Sequence, residues 1–445
     1  MTRRHGHALL AAIVALIVAL SAAIYVGVAS DDGGDPRGDV ADGRPPHNSA
    51  APASTGSWVG TWSASPAGAE PGTETTGLAG RSVRNVVHTT VGGTGARITL
   101  SNLYGQSPLT IAHASIAVAA GPNTPAAVAG TMRRLTFGGG TVPVVVPAGG
   151  QVMSDAVRLA VPHDADMLVT TYSPTPGGPV TYHPHARQTS YAAVGDRTED
   201  ATGTPFTEQS PAWRYLTALD VLSNEAGGTV VVLGDSLTDG ISSTPNTNAR
   251  WTDVLADRLR EAAAAGADVP RYGIVNQGIS GNRVLADGLG RPADNPSALN
   301  RFSRDVLGRT NVKVVVIDLG VNDILRNPRL ADPHEILEGL RTLVGQAHAR
   351  GVKVVGATLM PFTGHRGFTP QREAVRQQVN AAIRAGRVFD TVVDFDAALR
   401  DPYAPRRLRP DYDSGDHLHP SDHGYARMGE YFDLDALKGA APAEL

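Results

Sequence analysis

Cysteine is absent from the 445 residues. That rules out a thiol nucleophile, disulfide bridges and cysteine-ligated zinc. It leaves the compartment open, because an exported chain can fold without bridges. An excess of either charge is also missing: 39 Lys and Arg stand against 43 Asp and Glu, a formal net charge of −4. With no basic stripe along the chain, nucleic acid is excluded as the expected partner. Strict repeats are lacking, and so are helical patterns between Trp58 and about Asp196.

Gly (50) and Pro (31) are abundant, which implies many turns and a large β or loop content. The length suits two domains. At the N-terminus Arg3 and Arg4 precede an apolar run from Ala8 to Ala29, "ALLAAIVALIVALSAAIYVGVA". A cleavable signal has an apolar region of roughly 7–15 residues and a spanning helix needs about 20. Residues 1–30 therefore read as a signal peptide or a signal anchor, with residues 8–29 as the membrane anchor in the second case. Either way the bulk of the chain is expected outside, secreted or tethered to the outer side of the cytoplasmic membrane. Residues 31–56, rich in Asp, Gly, Pro and Ser, read as a disordered linker.

Two further segments differ in grammar. Across 57–200, short alternating stretches such as "ARITLSNLYG", with Ile98 and Leu100 on one side, are separated by Gly and Pro turns. This predicts an all-β, jelly-roll-like sandwich. Across 228–438, strands alternate with helices. The strands are expected at Val230–Leu233, Gly273–Val275, Val312–Leu319, Val352–Leu359 and Val388–Phe395. One helix is expected from Pro333 after an Asp332 cap, with Ile336, Leu340, Leu343 and Ala347 on one face and Gly351 at its end. Another is expected from Pro370 after Thr369, with Val375, Val379 and Ile383 along one side. The pattern predicts an α/β domain of three layers, α/β/α, around a parallel five-stranded sheet in flavodoxin-like order.

Polar residues gather after the strand ends. Ser236 follows the first strand in "GDSLTDG", Gly281 the second in "NQGISGN", and Asn322 the third in "GVND"; Asp416 and His419 lie in "DHLHP" after the last. Carboxyl ends of parallel strands share one rim, where such sheets keep their ligands. Serine needs a base to become a nucleophile, and histidine suits neutral pH. An Asp three residues before that histidine holds its tautomer. The N–H groups of Ser236 and Gly281, with the Asn322 side-chain amide, supply three donors for an oxyanion. Together these residues point to acyl transfer.

The four blocks "GDSLTDG", "GISGN", "GVND" and "DHLH" stand in the order and strand contexts of the SGNH, or GDSL, family of serine esterases and lipases, which this sequence resembles over about half its length. The resemblance implies Ser236 as nucleophile, Asp416 and His419 as the rest of the triad, and Gly281 and Asn322 as oxyanion donors. It implies an ester substrate, whether lipid, acylated sugar or small ester, with no cofactor and no metal. "WVGTW" and "RNVVHTTVGGTGARITLSNLYG" are also similar to the β-domain that precedes this fold in some exported bacterial members. The long loop from Ala397 to Gly415 departs from the pattern. "GDSLT" also lacks the second Gly of the α/β-hydrolase elbow.

Each residue also has a plainer reading. Taken alone, Ser236 reads as a helix cap, a reading the other blocks displace, and Asn322-Asp323 as a turn pair, with Asp323 structural. His417, His419, Asp422 and His423 can be read as a metal cluster, which lacks a clear third ligand on a rigid element. His183 and His185 read as strand residues at the two-residue period. Arg406, Arg407 and Arg409, with Tyr403 and Tyr412, read as a solvated rim or as a grip on an anionic headgroup. At the level of the whole chain the alternatives are a carbohydrate-binding protein with an inactive hydrolase-like domain and a metal-dependent phosphoesterase.

Overall fold

The computed structural model describes residues 56–288 and 294–441. The expected signal or anchor, and the linker up to residue 55, lie outside the described residues. Among those described, no helix is long and apolar enough to cross a membrane.

Residues 57–223 form antiparallel sheets, with no helix among the described residues there. One sheet runs Ser57–Ser63, Leu216–Ser223, Gly93–Ser101, Val157–Val161, with Gln151–Met153 also paired to Gly93–Ser101. The other runs Glu208–Ser210, Ser190–Val194, Arg81–His88, Asp166–Ser173, His113–Val118, Arg133–Leu135. Their facing residues make one sandwich-like core: Val59, Ile98, Leu100 and Leu219 from the first meet Val87, Ile116, Met167 and Val169 from the second. The predicted alternation of Ile98 and Leu100 thus points inward. Each such side chain contributes roughly 1.5–3 kcal/mol by leaving water.

Residues 228–393 carry a parallel sheet ordered Tyr272–Gly278, Gly228–Gly234, Val312–Asp318, Lys353–Ala357, Thr391–Val393. The first strand in sequence lies second in space, so the order is flavodoxin-like, as its sequence suggests. All seven of its residues are buried, which explains a Val and Leu run without polar alternation. The helices Pro333–His348 and Pro370–Arg384 begin at the expected caps, Asp332 and Thr369, and bury the expected apolar faces. The fifth strand is shorter than expected. It covers only Thr391–Val393, because Asp394 caps a new helix, Phe395–Leu399, accepting from the Ala397 N–H at 3.1 Å. At its other end Val388 and Phe389 serve as core packing, not as strand. The Phe389 ring fills the space beside Gly356, where a Cβ would come within 1.8 Å of it.

The antiparallel and parallel halves meet through backbone-close contact. The Gly60 N–H donates to Thr229 Oγ1 at 2.9 Å, and a Cβ on Gly273 would sit 2.2 Å from the Gly60 carbonyl oxygen. Arg301, fully buried, donates to Ser65 Oγ at 2.9 Å, to the Gln277 carbonyl at 2.7 Å and to the Gly234 carbonyl at 3.0 Å. One guanidinium thereby joins the antiparallel half to the carboxyl ends of two parallel strands.

Candidate active site

Strand Gly228–Gly234 passes through Asp235 into a four-residue helix, Ser236–Asp239. Asp235 Oδ1 caps it by accepting from the Leu237 N–H at 3.0 Å. Glycine is needed at 234, where a Cβ would lie 2.1 Å from Thr238 Oγ1. Ser236 is therefore the first helical residue, and its N–H is among those a helix leaves without an internal partner. Its side chain opens into a cavity at the carboxyl edge of the sheet.

His419 Nε2 lies 2.8 Å from Ser236 Oγ, and His419 Nδ1 lies 2.5 Å from Asp416 Oδ2. A carboxylate only accepts, so Nδ1 carries the proton and Nε2 faces the serine as an acceptor. Asp416 is fixed in turn, its Oδ1 accepting from the backbone N–H groups of His419 at 2.8 Å and Leu418 at 3.0 Å. Partial burial alone would raise the Asp416 carboxyl, but the bond to His419, with those N–H groups, holds it well below the usual carboxylate range. The three residues are brought together as their spacing suggests.

Gly281 and Asn322 line the same cavity as Ser236. Gly281 has φ +78, the left-handed conformation that favours glycine. The Asn322 side chain is held at both ends. Its Nδ2 donates to Asp235 Oδ2 at 3.1 Å, and its Oδ1 accepts from Arg326 Nε at 3.0 Å. One Nδ2 proton remains for the cavity. Burial, then the nearby charge of Asp318, pushes the Asp235 carboxyl well up. Asp323 is structural, as read: it accepts from the Val284 and Leu285 N–H groups at 2.8 and 3.0 Å. Burial raises its carboxyl to about 6.

The residues weighed as metal ligands are separated. His417 pairs with Asp413 at 2.6 Å, while His423 is exposed on the helix Asp422–Tyr431. Asp422 caps a loop instead, accepting from the Thr244 N–H at 2.8 Å. Among the described residues no three His, Asp or Glu side chains stand together as a metal site.

The cavity, about 720 Å³, also holds residues that sequence reasoning passed over. The loop arginines 406, 407 and 409 and Tyr403 and Tyr412 do not line it; Arg409 instead lies over the Tyr412 ring at 5.2 Å and pairs with Asp411. Among the described residues, the guanidinium groups at the cavity are those of Arg326 and Arg366, from other loops. His185 is not a strand residue: the strand stops at His183, and the ring of His185 reaches the cavity wall. Burial lowers the pKa of both His185 and His365, a further lining residue. No sequence motif marks these positions; the only signal was the "YHPH" spacing.

Residues 232–427 match the GDSL-like Lipase/Acylhydrolase family. No curated protein sequence matches the chain. Among solved structures the chain is similar to a carbohydrate acetylesterase from Sinorhizobium meliloti, at 20% identity over 46% of this chain and 95% of that one, with a TM-score of 0.36. It is also similar to an acetylxylan esterase from Geobacillus stearothermophilus, at 22% identity over 48% and 94%, with a TM-score of 0.35. A third, a member of the lipolytic protein G-D-S-L family from Veillonella parvula, shares 16% identity over 46% and 96%, with a TM-score of 0.34.

Proposed function

We propose that this chain, whose residues 232–427 match the GDSL-like lipase/acylhydrolase family, is a carboxylic ester hydrolase that works through a Ser236–His419–Asp416 triad and an acyl-enzyme. The observation that carries this reading is the contact of His419 Nε2 with Ser236 Oγ at 2.8 Å, backed by Asp416. Ser236 Oγ attacks the ester carbonyl as its proton passes to His419 Nε2. The charge on the carbonyl oxygen meets the N–H groups of Ser236 and Gly281 and the free proton of Asn322 Nδ2. His419 then gives its proton to the departing alcohol. Water, deprotonated by the same ring, attacks the acyl-serine and releases the acid.

The cavity lining favours a polar ester with a short acyl group, such as an acylated sugar. Among the described residues, His185, Arg326, His365, Arg366 and His417 line the cavity with the triad, and its large apolar neighbours are Ile241, Leu325 and Leu418. A long lipid chain would find little apolar surface there. The apolar run after Arg3 and Arg4 supports export, with the enzyme acting outside the cytoplasmic membrane.

Hydrolysis of short chromogenic esters tests the reading. Activity blocked by a fluorophosphonate and unchanged by a chelator is expected. Activity lost to the chelator and spared by the fluorophosphonate would replace the triad with a metal-dependent mechanism.

A further inference from the structure

His183 comes from the antiparallel half, at the end of the strand Thr181–His183. Its side chain is 4% exposed, and both ring nitrogens face oxygen acceptors. Nδ1 lies 2.9 Å from the Ser65 carbonyl and Nε2 lies 2.9 Å from Asp239 Oδ1. Both ring nitrogens are thus held against protein oxygens. The face of the ring leans on Trp213, with centroids 5.5 Å apart. The imidazole has no freedom to turn.

Asp239 is the last residue of the helix that starts with Ser236. Its second oxygen, Oδ2, accepts from the Ser280 N–H at 3.0 Å and from Ser280 Oγ at 2.5 Å. Ser280 immediately precedes Gly281. One buried carboxylate therefore ties the helix of the nucleophile to the turn of the oxyanion donor. Burial would raise the Asp239 carboxyl, but the charge and hydrogen bond of His183 outweigh it and keep it below its usual value. A buried carboxylate stripped of such a partner is costly and rearranges or takes up a proton.

We propose that His183 is a positioning residue for the ester hydrolysis: through Asp239 and Ser280 it sets where the Gly281 N–H stands relative to Ser236 Oγ. The antiparallel half is then part of the catalytic apparatus and not an appended module. The inference rests on the triad reading above. A displacement of about 1 Å between nucleophile and oxyanion donor costs about 100-fold in rate, so small shifts of this turn matter.

The test uses the full chain with His183→Gln and Ser280→Ala, the second removing only the hydroxyl contact to Asp239. Active sites are counted by fluorophosphonate labelling, and kcat, KM and the inhibition constant of a phenylboronic acid are measured per labelled site. The boronic acid forms a tetrahedral adduct with serine and so reports on the oxyanion site. Both variants are expected to lose about 10- to 100-fold in kcat with KM within about twofold, and to bind the boronic acid more weakly by a similar factor. A purely structural role lowers the melting temperature and leaves kcat per labelled site unchanged. Either variant keeping kcat within about twofold of the parent overturns the proposal, and where His183→Gln fails to fold, Ser280→Ala alone decides. A parent chain whose Ser236 takes no label overturns the triad reading itself.

Discussion

Single side chains carry the chemistry, and they differ in what their removal should do. On the proposed mechanism Ser236→Ala removes the attacking oxygen, and loss of the nucleophile of such a triad costs about 10⁶ in turnover in a protease precedent. The variant should fold normally and be almost inactive in an ester assay. As a proposed oxyanion donor, Asn322 would meet a charge that exists only in the transition state, and Asn322→Ala would remove that donor. It should lower kcat about 10²–10³-fold with little change in KM; a change confined to KM would make Asn322 a substrate-positioning residue. His419→Ala should abolish activity while His417→Ala keeps most of it, since His417 pairs with Asp413. The reverse result would reassign the base. These residues were legible because each directly follows a strand end or sits in a three-residue spacing, so local sequence fixes its place. His185, Arg326 and Arg366 were not, because loops far apart in the chain converge on the cavity only in the folded molecule. His183 was read as an ordinary strand residue, since a two-residue period tells nothing of which buried carboxylate waits opposite.

Elements position those side chains, and their ends decide how well a sequence can be read. Helices with a cap, a proline and one apolar face begin where Asp332 and Thr369 place them. The fifth strand was overestimated because the apolar pairs Val388-Phe389 and Val392-Val393, split by Asp390-Thr391, read as one strand, although only the second pairs. Tertiary packing of Phe389 and the Asp394 cap cut it short. Asp323 offers a test at this scale, as it holds the segment after the Gly281 turn to the helix Val321–Leu325. Its folded pKa of about 6 lies above the unfolded value near 3.9. The folded chain therefore binds more protons between those values. The contribution to stability is fully present below about pH 4 and is lost as pH rises through about 6, a swing of up to about 3 kcal/mol. Urea midpoints for Asp323→Asn should show a flatter dependence between about pH 4 and 6 than the parent. Parallel curves would remove Asp323 as the source.

For the whole molecule, the contact between halves is the feature that composition and strand periods could not disclose. Arg301, Ser65, Gly60 and Thr229 bond across it, and a chain beginning at Gly228 would expose buried carbonyls and the apolar side of its sheet. Such a chain should be poorly soluble and inactive, whereas one beginning at Ser57 should stay soluble and active; full activity of the shorter chain would show that the antiparallel half is dispensable. The central claim remains the covalent route through Ser236. Its most direct test is the intact mass of the protein, mixed with excess 4-nitrophenyl acetate and quenched in acid within the first turnovers. The expected result is a species heavier by one acetyl group, mapped to the peptide bearing Ser236 and absent from Ser236→Ala. Steady hydrolysis by the parent with no acylated Ser236 peptide, or with equal turnover by Ser236→Ala, would contradict it.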